Sequence, residues 1–230
     1  MQSVAVIGAN GYVGKALYKE LLKTNRYSVV AVTRDNYSEI QKREFDIVIN
    51  SAMPSARFKA KNDPAWDYAE TVTKTANILY EWKYKKFVQI STVSARCQLD
   101  TVYGRHKAAA EKLCDFGDNM IVRLGAMYSE DLSKGVLVDM MQGKKVFVDG
   151  ASRYCFASRD FVASWIAEHL DQKGIVEVGG RQSISLAEIA KHIGNAIEFE
   201  GSLDHQEIEN PSQDMPLVRD VLDFLDTWKR

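Results

Sequence analysis

Gly8-Ala9-Asn10-Gly11-Tyr12-Val13-Gly14 joins the apolar run Ser3–Ile7 to an amphipathic stretch, Tyr12–Lys23. A buried strand, a glycine-spaced loop and a helix follow one another here within a few residues. Each glycine has its own reason in such a loop. The first permits the tight turn, the second lets the backbone approach a pyrophosphate, and the third lets helix and strand pack closely. The N–H groups that open the helix then face the phosphates. The reading is a dinucleotide cradle made of Gly8, Asn10, Gly11, Tyr12, Val13 and Gly14.

Working outward, the first half of the chain alternates short apolar runs with helical patterns, the mark of parallel βαβ units. Ser28–Thr33, Phe45–Asn50, Phe87–Ile90 and Met120–Leu124 read as further strands. Ala65–Tyr84 reads as one long helix opened by Pro64, and residues 101–116 as another. About a dozen residues part the strand ending at Thr33 from the one starting at Phe45, room for one short helix (Tyr37–Arg43) and no extra strand. The nucleotide half of the sheet has therefore lost an edge strand. Trp66, Tyr68, Tyr80 and Trp82 on the long helix read as core and packing residues.

After Leu124 the rhythm changes. Residues 126–156 carry one strand-like run, Lys145–Val148. Helical periodicity returns at Arg159–Leu170, with a strand at Ile175–Val178. Ser185-Leu186-Ala187-Glu188 fits a capping box, and Leu217–Trp228 is an amphipathic last helix. The expected fold is α/β: a Rossmann-type doubly wound parallel sheet with a small C-terminal substrate-binding cap. Residues 1–125 form the nucleotide domain with 157–180 packing back on it, and 126–156 and 181–230 form the cap.

Composition narrows the function. Thirty basic against thirty-one acidic side chains give a net charge of -1, which argues against a nucleic-acid surface. The most basic stretch, Lys83-Tyr84-Lys85-Lys86, reads as a solvated helix end. Cys97, Cys114 and Cys155 are an odd set without a framework, as in a reduced compartment. His169, His192 and His205 lack metal spacing, so no metal is expected. No leader is expected, since the chain runs straight into Val4-Ala5-Val6-Ile7, and no run reaches the ~18 apolar residues that span a bilayer. A cytoplasmic protein without membrane attachment is expected.

Three features bear on chemistry. The second strand ends Val32-Thr33-Arg34-Asp35, and Arg34 stands where a cation can pair with a 2′-phosphate. NADP is therefore favoured, with NAD as the alternative. Tyr103 and Lys107 are four residues apart near the start of a helix and share one face. A phenol titrating near 10 needs about 3–4 kcal/mol of help to work as an acid/base near neutrality. A fixed ammonium one turn away, with a cationic nicotinamide ring, can supply it. Ser91-Thr92-Val93-Ser94 ends the preceding strand, where parallel sheets place ligands. A hydroxyl there can hydrogen-bond a substrate carbonyl; Ser91 or Ser94 can instead cap a turn. His106 points to another helix face and is given no role.

These residues resemble the extended branch of the short-chain dehydrogenase/reductase superfamily, the NAD-dependent epimerase/dehydratase type, over nearly the whole chain. The loop matches Gly-x-x-Gly-x-x-Gly, Tyr103 and Lys107 match Tyr-x-x-x-Lys, and Ser91-Thr92 matches the catalytic hydroxyl strand. Asp46-Ile47-Val48-Ile49-Asn50-Ser51-Ala52 is similar to the strand that ends beside the cofactor ribose, which adds Ser51 and Ala52 to the cofactor set. Arg123-Leu124-Gly125, Arg159-Asp160-Phe161-Val162 and Val178-Gly179-Gly180 resemble later motifs. The resemblance implies hydride transfer at nicotinamide C4, as in sugar-nucleotide epimerases, dehydratases and reductases. It implies Tyr103 as acid/base, Lys107 on the nicotinamide ribose and Thr92 orienting the substrate oxygen. It also suggests a homodimer through paired helices. Departures leave the substrate open: ten residues part Thr92 from Tyr103, Ala126 replaces an Asn, and the cap is small. A sugar nucleotide, a smaller sugar, and a simple ketone or aldehyde all stand as substrates. A dinucleotide-binding regulator without turnover is the rival from another class.

Overall fold

The computed structural model describes residues 1–228. In chain order the elements are β1 (Gln2–Ile7), α1 (Tyr12–Lys23), β2 (Tyr27–Val32), α2 (Tyr37–Ile40), β3 (Glu44–Asn50), α3 (Arg57–Asn62) and α4 (Pro64–Tyr68). A π-helical turn (Ala69–Thr73) leads into α5 (Lys74–Glu81), β4 (Lys83–Thr92), α6 (Ser94–Cys97), α7 (Val102–Cys114), β5 (Met120–Leu124) and β6 (Ala126–Tyr128). Then come α8 (Val136–Met141), β7 (Arg153–Tyr154), β8 (Phe156–Ser158), α9 (Arg159–Glu168), β9 (Gly174–Val178), β10 (Ile184–Ser185), α10 (Leu186–Ile193) and α11 (Val218–Trp228).

Residues 1–124 and 160–176 form one compact unit, and 125–159 and 177–228 a second. The first is built on a six-stranded sheet of order β2-β1-β3-β4-β5-β9, with parallel pairing from β2 through β5. Val4–Ile7 of β1 and Ile47–Asn50 of β3 are buried on both faces, as central parallel strands must be. Register sets Val4 opposite Ile47 and Val48 opposite Phe87. α1 buries Gly14, Ala16, Leu17 and Leu21, a stripe at helical spacing. On this side β2 is the edge strand, which the short Thr33-to-Phe45 interval anticipates. The strand order reverses between β1 and β3, and such switch points are where open α/β sheets bind ligands.

The expected helix over Ala65–Tyr84 is not continuous. A π-helical turn interrupts it at Ala69–Thr73, where Thr75 Oγ1 donates back to the Thr71 carbonyl at 2.7 Å and competes with the backbone ladder. The helix then stops at Glu81, because Trp82 turns to an extended backbone and buries against Phe45 and Tyr37. The basic stretch is therefore not a helix end. Lys83, Tyr84, Lys85 and Lys86 open β4 with alternating exposure, paired to β3 from Glu44 onward. Tertiary pairing overrides the local helical pattern here, and Lys85 Nζ meets Asp46 at 2.7 Å. Of the four aromatic residues assigned to core and packing, Trp82 is core, whereas Tyr68 is half exposed and Tyr80 is 73% exposed.

The second unit has two small sheets, β6 with β8 and β10 with β7. Leu137, Phe156, Leu186, Ile189, Val221 and Leu225 join in its core. The capping box forms: Ser185 accepts from Glu188 N–H, and the Glu188 carboxylate accepts from Ser185 N–H. Lys145–Val148 is not a strand. Val146 alone bridges to Phe199, too short a pairing to build a ladder. Among the described residues, no helix is long and apolar enough to cross a membrane.

Candidate functional site

The glycine loop is pinned to the strand ends on either side of it. Gly8 and Ala9 donate their N–H groups to Val32 O at 3.0 and 3.3 Å, and Ser51 N–H donates to Ile7 O at 2.9 Å. Gly8 has φ +84°, and a Cβ on Gly14 would lie 2.2 Å from Gly8 O. The close approach of α1 to the loop thus depends on Gly14 having no side chain. Gly11 is the N-cap of α1 and brings no side-chain acceptor, and no acidic side chain lies in the first turn. Nothing there repels an anion at the positive helix end. Asn10 and Gly11 are exposed, while Tyr12 and Val13 are half-buried. Ser51 Oγ is buried without a hydrogen-bond partner, 3.1 Å from where a Gly14 Cβ would stand. Buried hydroxyls are almost always bonded, so this orphan beside the cradle fits a polar ligand. Ala52 N–H is held by Asn50 Oδ1 at 3.1 Å, and Asn50 in turn donates to Gln89 at 3.0 Å. These residues fit a bound dinucleotide.

Arg34 is exposed just past the end of β2. Its turn is shaped by Asn36, whose Oδ1 accepts from Thr33 N–H at 2.8 Å and whose Nδ2 donates to Ala31 O at 3.0 Å.

Tyr103 and Lys107 lie one turn apart on α7, both in the interior at 6% and 2% exposure. The helix starts on Thr101, whose hydroxyl accepts from Gly104 N–H at 3.0 Å. Gly104 allows α7 to press onto Gln98, whose carbonyl would sit 2.0 Å from a Cβ there. Lys107 Nζ lies 5.0 Å from the Tyr103 ring centroid and donates to Pro54 O at 2.8 Å. Burial pushes the Tyr103 phenol up to about 12, with Arg57 pulling down and Asp67 pushing up. Burial likewise pushes the Lys107 ammonium down to about 7, opposed by Asp67. From the protein's own groups, therefore, the expected lowering of the phenol by Lys107 does not arise. Desolvation wins, since neither charged form is favoured in a dry interior.

Thr92 closes β4. Its Oγ1 donates to Ser94 Oγ at 3.2 Å, and Ser94 Oγ also accepts from Arg57 Nη2 at 3.0 Å. Arg57 Cζ lies 5.7 Å from the Tyr103 ring centroid. Ser91 is committed elsewhere: its hydroxyl donates to Glu111 Oε1 at 2.6 Å, and Arg123 grips the same carboxylate with Nη2 at 2.7 Å from Oε2. His106 has a partner after all. Its Nδ1 lies 2.8 Å from Oδ2 of Asp67, a carboxylate with no exposed surface, and the Tyr68 ring stands edge-on to it at 5.4 Å. Asp67 Oδ1 has no hydrogen-bond partner.

Arg57, Asp67 and Pro54 were not legible as site residues. They precede Tyr103 by 36 to 49 residues and fit no spacing rule; only the fold brings them beside α7.

A family model matches residues 4–136, and that model describes the NAD dependent epimerase/dehydratase family. The chain belongs to this family. The match takes in the glycine loop, Thr92, Tyr103 and Lys107. Among solved structures, dTDP-4-dehydrorhamnose reductase from Bacillus anthracis in complex with NADP aligns over 100% of both chains, with TM-score 0.78 and 16% identity. An NAD dependent NDP-hexosamine 5,6-dehydratase of tunicamycin biosynthesis aligns over 99% of this chain and 97% of its own, with TM-score 0.76 and 14% identity. A mutant of UDP-glucuronic acid 4-epimerase from Bacillus cereus, in complex with UDP-4-deoxy-4-fluoro-glucuronic acid and NAD, aligns over 90% of this chain and 88% of its own, with TM-score 0.66 and 18% identity. At these identities the likeness is one of fold. The comparison with curated proteins finds no match. An epimerase/dehydratase-family chain thus consists of the sheet unit that carries the glycine loop and a smaller second unit.

Proposed function

We propose that this family member is an NAD(P)-dependent oxidoreductase or epimerase that acts on a carbonyl or alcohol carbon of a sugar or sugar-nucleotide substrate. The observation that carries the reading is the cradle at the β1/β3 switch point, with Gly14 pressed onto Gly8 and the Ser51 hydroxyl unpartnered beside it. The loop N–H groups and the start of α1 bind the pyrophosphate. Arg34 pairs with a 2′-phosphate, which favours NADP over NAD. When bound, the nicotinamide supplies the hydride donor or acceptor and, when oxidised, a positive charge near the phenol.

Lys107, which donates to Pro54 O at 2.8 Å, would hold the nicotinamide ribose. Tyr103 passes its proton to the substrate oxygen or takes it back, and Thr92 orients that oxygen. The buried phenol and ammonium exclude water from the transfer. The exposed helix face carrying Tyr68 and Tyr80 suits pairing with a second copy, which sedimentation measures.

Titration of NADPH and NADH, followed by tryptophan fluorescence and energy transfer, tests the reading. NADPH binding that weakens in Arg34→Ala while NADH binding does not supports it, and opens a screen of sugar nucleotides, smaller sugars and simple carbonyls. Tyr103→Phe then abolishes turnover and keeps nucleotide affinity. Binding of neither nucleotide, in reduced or oxidised form, removes it.

A further inference from the structure

Two cations lie against the Tyr103 ring, and they differ in kind. Lys107 is 2% exposed and its Nζ is engaged by Pro54 O. Its charge is held in a dry site, where an ammonium readily gives up its proton. Arg57, on α3, is an exposed residue whose guanidinium stays charged at any pH the fold survives. Ser94 fixes that guanidinium in place by accepting from Nη2 at 3.0 Å, and the Ser94 hydroxyl is itself met by Thr92 at 3.2 Å. One permanent positive charge is thus set 5.7 Å from the phenol ring centroid and held by the Ser94 hydroxyl that opens α6.

We propose that Arg57 is a positioning residue of this site: anchored on Ser94, it supplies the permanent charge that biases Tyr103 toward its phenolate. The inference rests on the reading of Tyr103 as the acid/base. The charges that act on the phenol are Arg57 from α3 and Asp67 from α4; Lys107 of α7 lies 5.0 Å from the ring, and His106, also on α7, pairs with Asp67 at 2.8 Å. Of these, Arg57 lowers the phenol's pKa, against burial and against the Asp67 carboxylate. Asp67 opposes catalysis by a phenolate unless its charge is offset, and Arg57 is the group that offsets it without needing a proton of its own.

The test replaces Tyr103 with a fluorinated tyrosine, which brings the phenol into a range the fold survives and gives a ¹⁹F signal. Its titration is compared in otherwise native protein and in Arg57→Gln, Arg57→Ala and Arg57→Lys. Gln keeps a donor for Ser94 without the charge. The proposal expects Arg57→Gln and Arg57→Ala to raise the phenol pKa by about one unit, a roughly tenfold change, with Arg57→Lys near native. If Arg57→Gln titrates with native protein, Arg57 is only a structural tether and the proposal fails. The comparison is made without nucleotide, so it is read whether or not NADPH binds; binding is measured separately on the same samples.

Discussion

Lys107 Nζ donates to the Pro54 carbonyl at 2.8 Å, tying the turn of α7 beyond Tyr103 to the loop that leaves β3. The bond partly repays an ammonium that is 2% exposed and pushed down to about 7 by desolvation. The unfolded chain keeps that proton up to about 10.4. Between about pH 7 and 10 the unfolded state therefore holds more protons, and stability rises with pH. Tyr103, raised to about 12, acts oppositely above about pH 10, where the unfolded phenol ionises first. Urea unfolding from pH 7 to 9 should show the rise, and Lys107→Met should flatten it. An equal slope in both proteins would contradict the buried ammonium.

The glycine loop separates two substitutions that look alike. A Cβ at Gly14 would stand 2.2 Å from Gly8 O, whereas at Gly11 the nearest atom is 3.1 Å away. Gly14→Ala should cost about 2 kcal/mol or more, a Tm drop of about 4–8 °C, and abolish nucleotide binding. Gly11→Ala should leave Tm within a few degrees. Equal melting shifts would show that the loop adapts and that the close approach is not required.

The Asp67–His106 pair makes a stability prediction. His106→Ala leaves a wholly buried carboxylate without a side-chain partner, at a cost of about 2–4 kcal/mol. Asp67→Asn retains an acceptor for His106 and should cost about 1 kcal/mol. Thermal melts of the two variants check this. A His106→Ala protein as stable as native would mean that another group already satisfies Asp67.

Ser91 and Thr92 adjoin in sequence but should separate in function. Ser91→Ala loses the 2.6 Å bond to Glu111, which should cost about 1.5–3 kcal/mol of stability and leave turnover intact. Thr92→Val should leave stability nearly unchanged and cut turnover about a hundredfold on whichever substrate the screen returns. The reverse pattern would move the orienting hydroxyl from Thr92 to Ser91.

The βαβ alternation, the glycine loop and the missing edge strand were legible because each depends on local patterning: apolar periodicity, glycine spacing and interval length. The helix interruption at Ala69–Thr73 and the strand start at Lys83 were not. The first follows from a hydroxyl bonding back to its own helix. The second follows from pairing with β3, a partner some forty residues earlier that local propensity cannot register.

The same division runs through the candidate site. Sequence alone determined the glycine turn at Gly8, Gly11 and Gly14 and the one-turn spacing of Tyr103 and Lys107, because both are written into nearby residues. Only the tertiary structure decided what surrounds the phenol. Arg57, Asp67 and Pro54 arrive from the segment after β3 when the helices there dock on α7. Burial, which requires the whole sheet and its covering helices, then sets the direction in which Tyr103 and Lys107 titrate. Spacing along a helix is a property of the chain; desolvation and the distance to a charge on another element are properties of the packed fold.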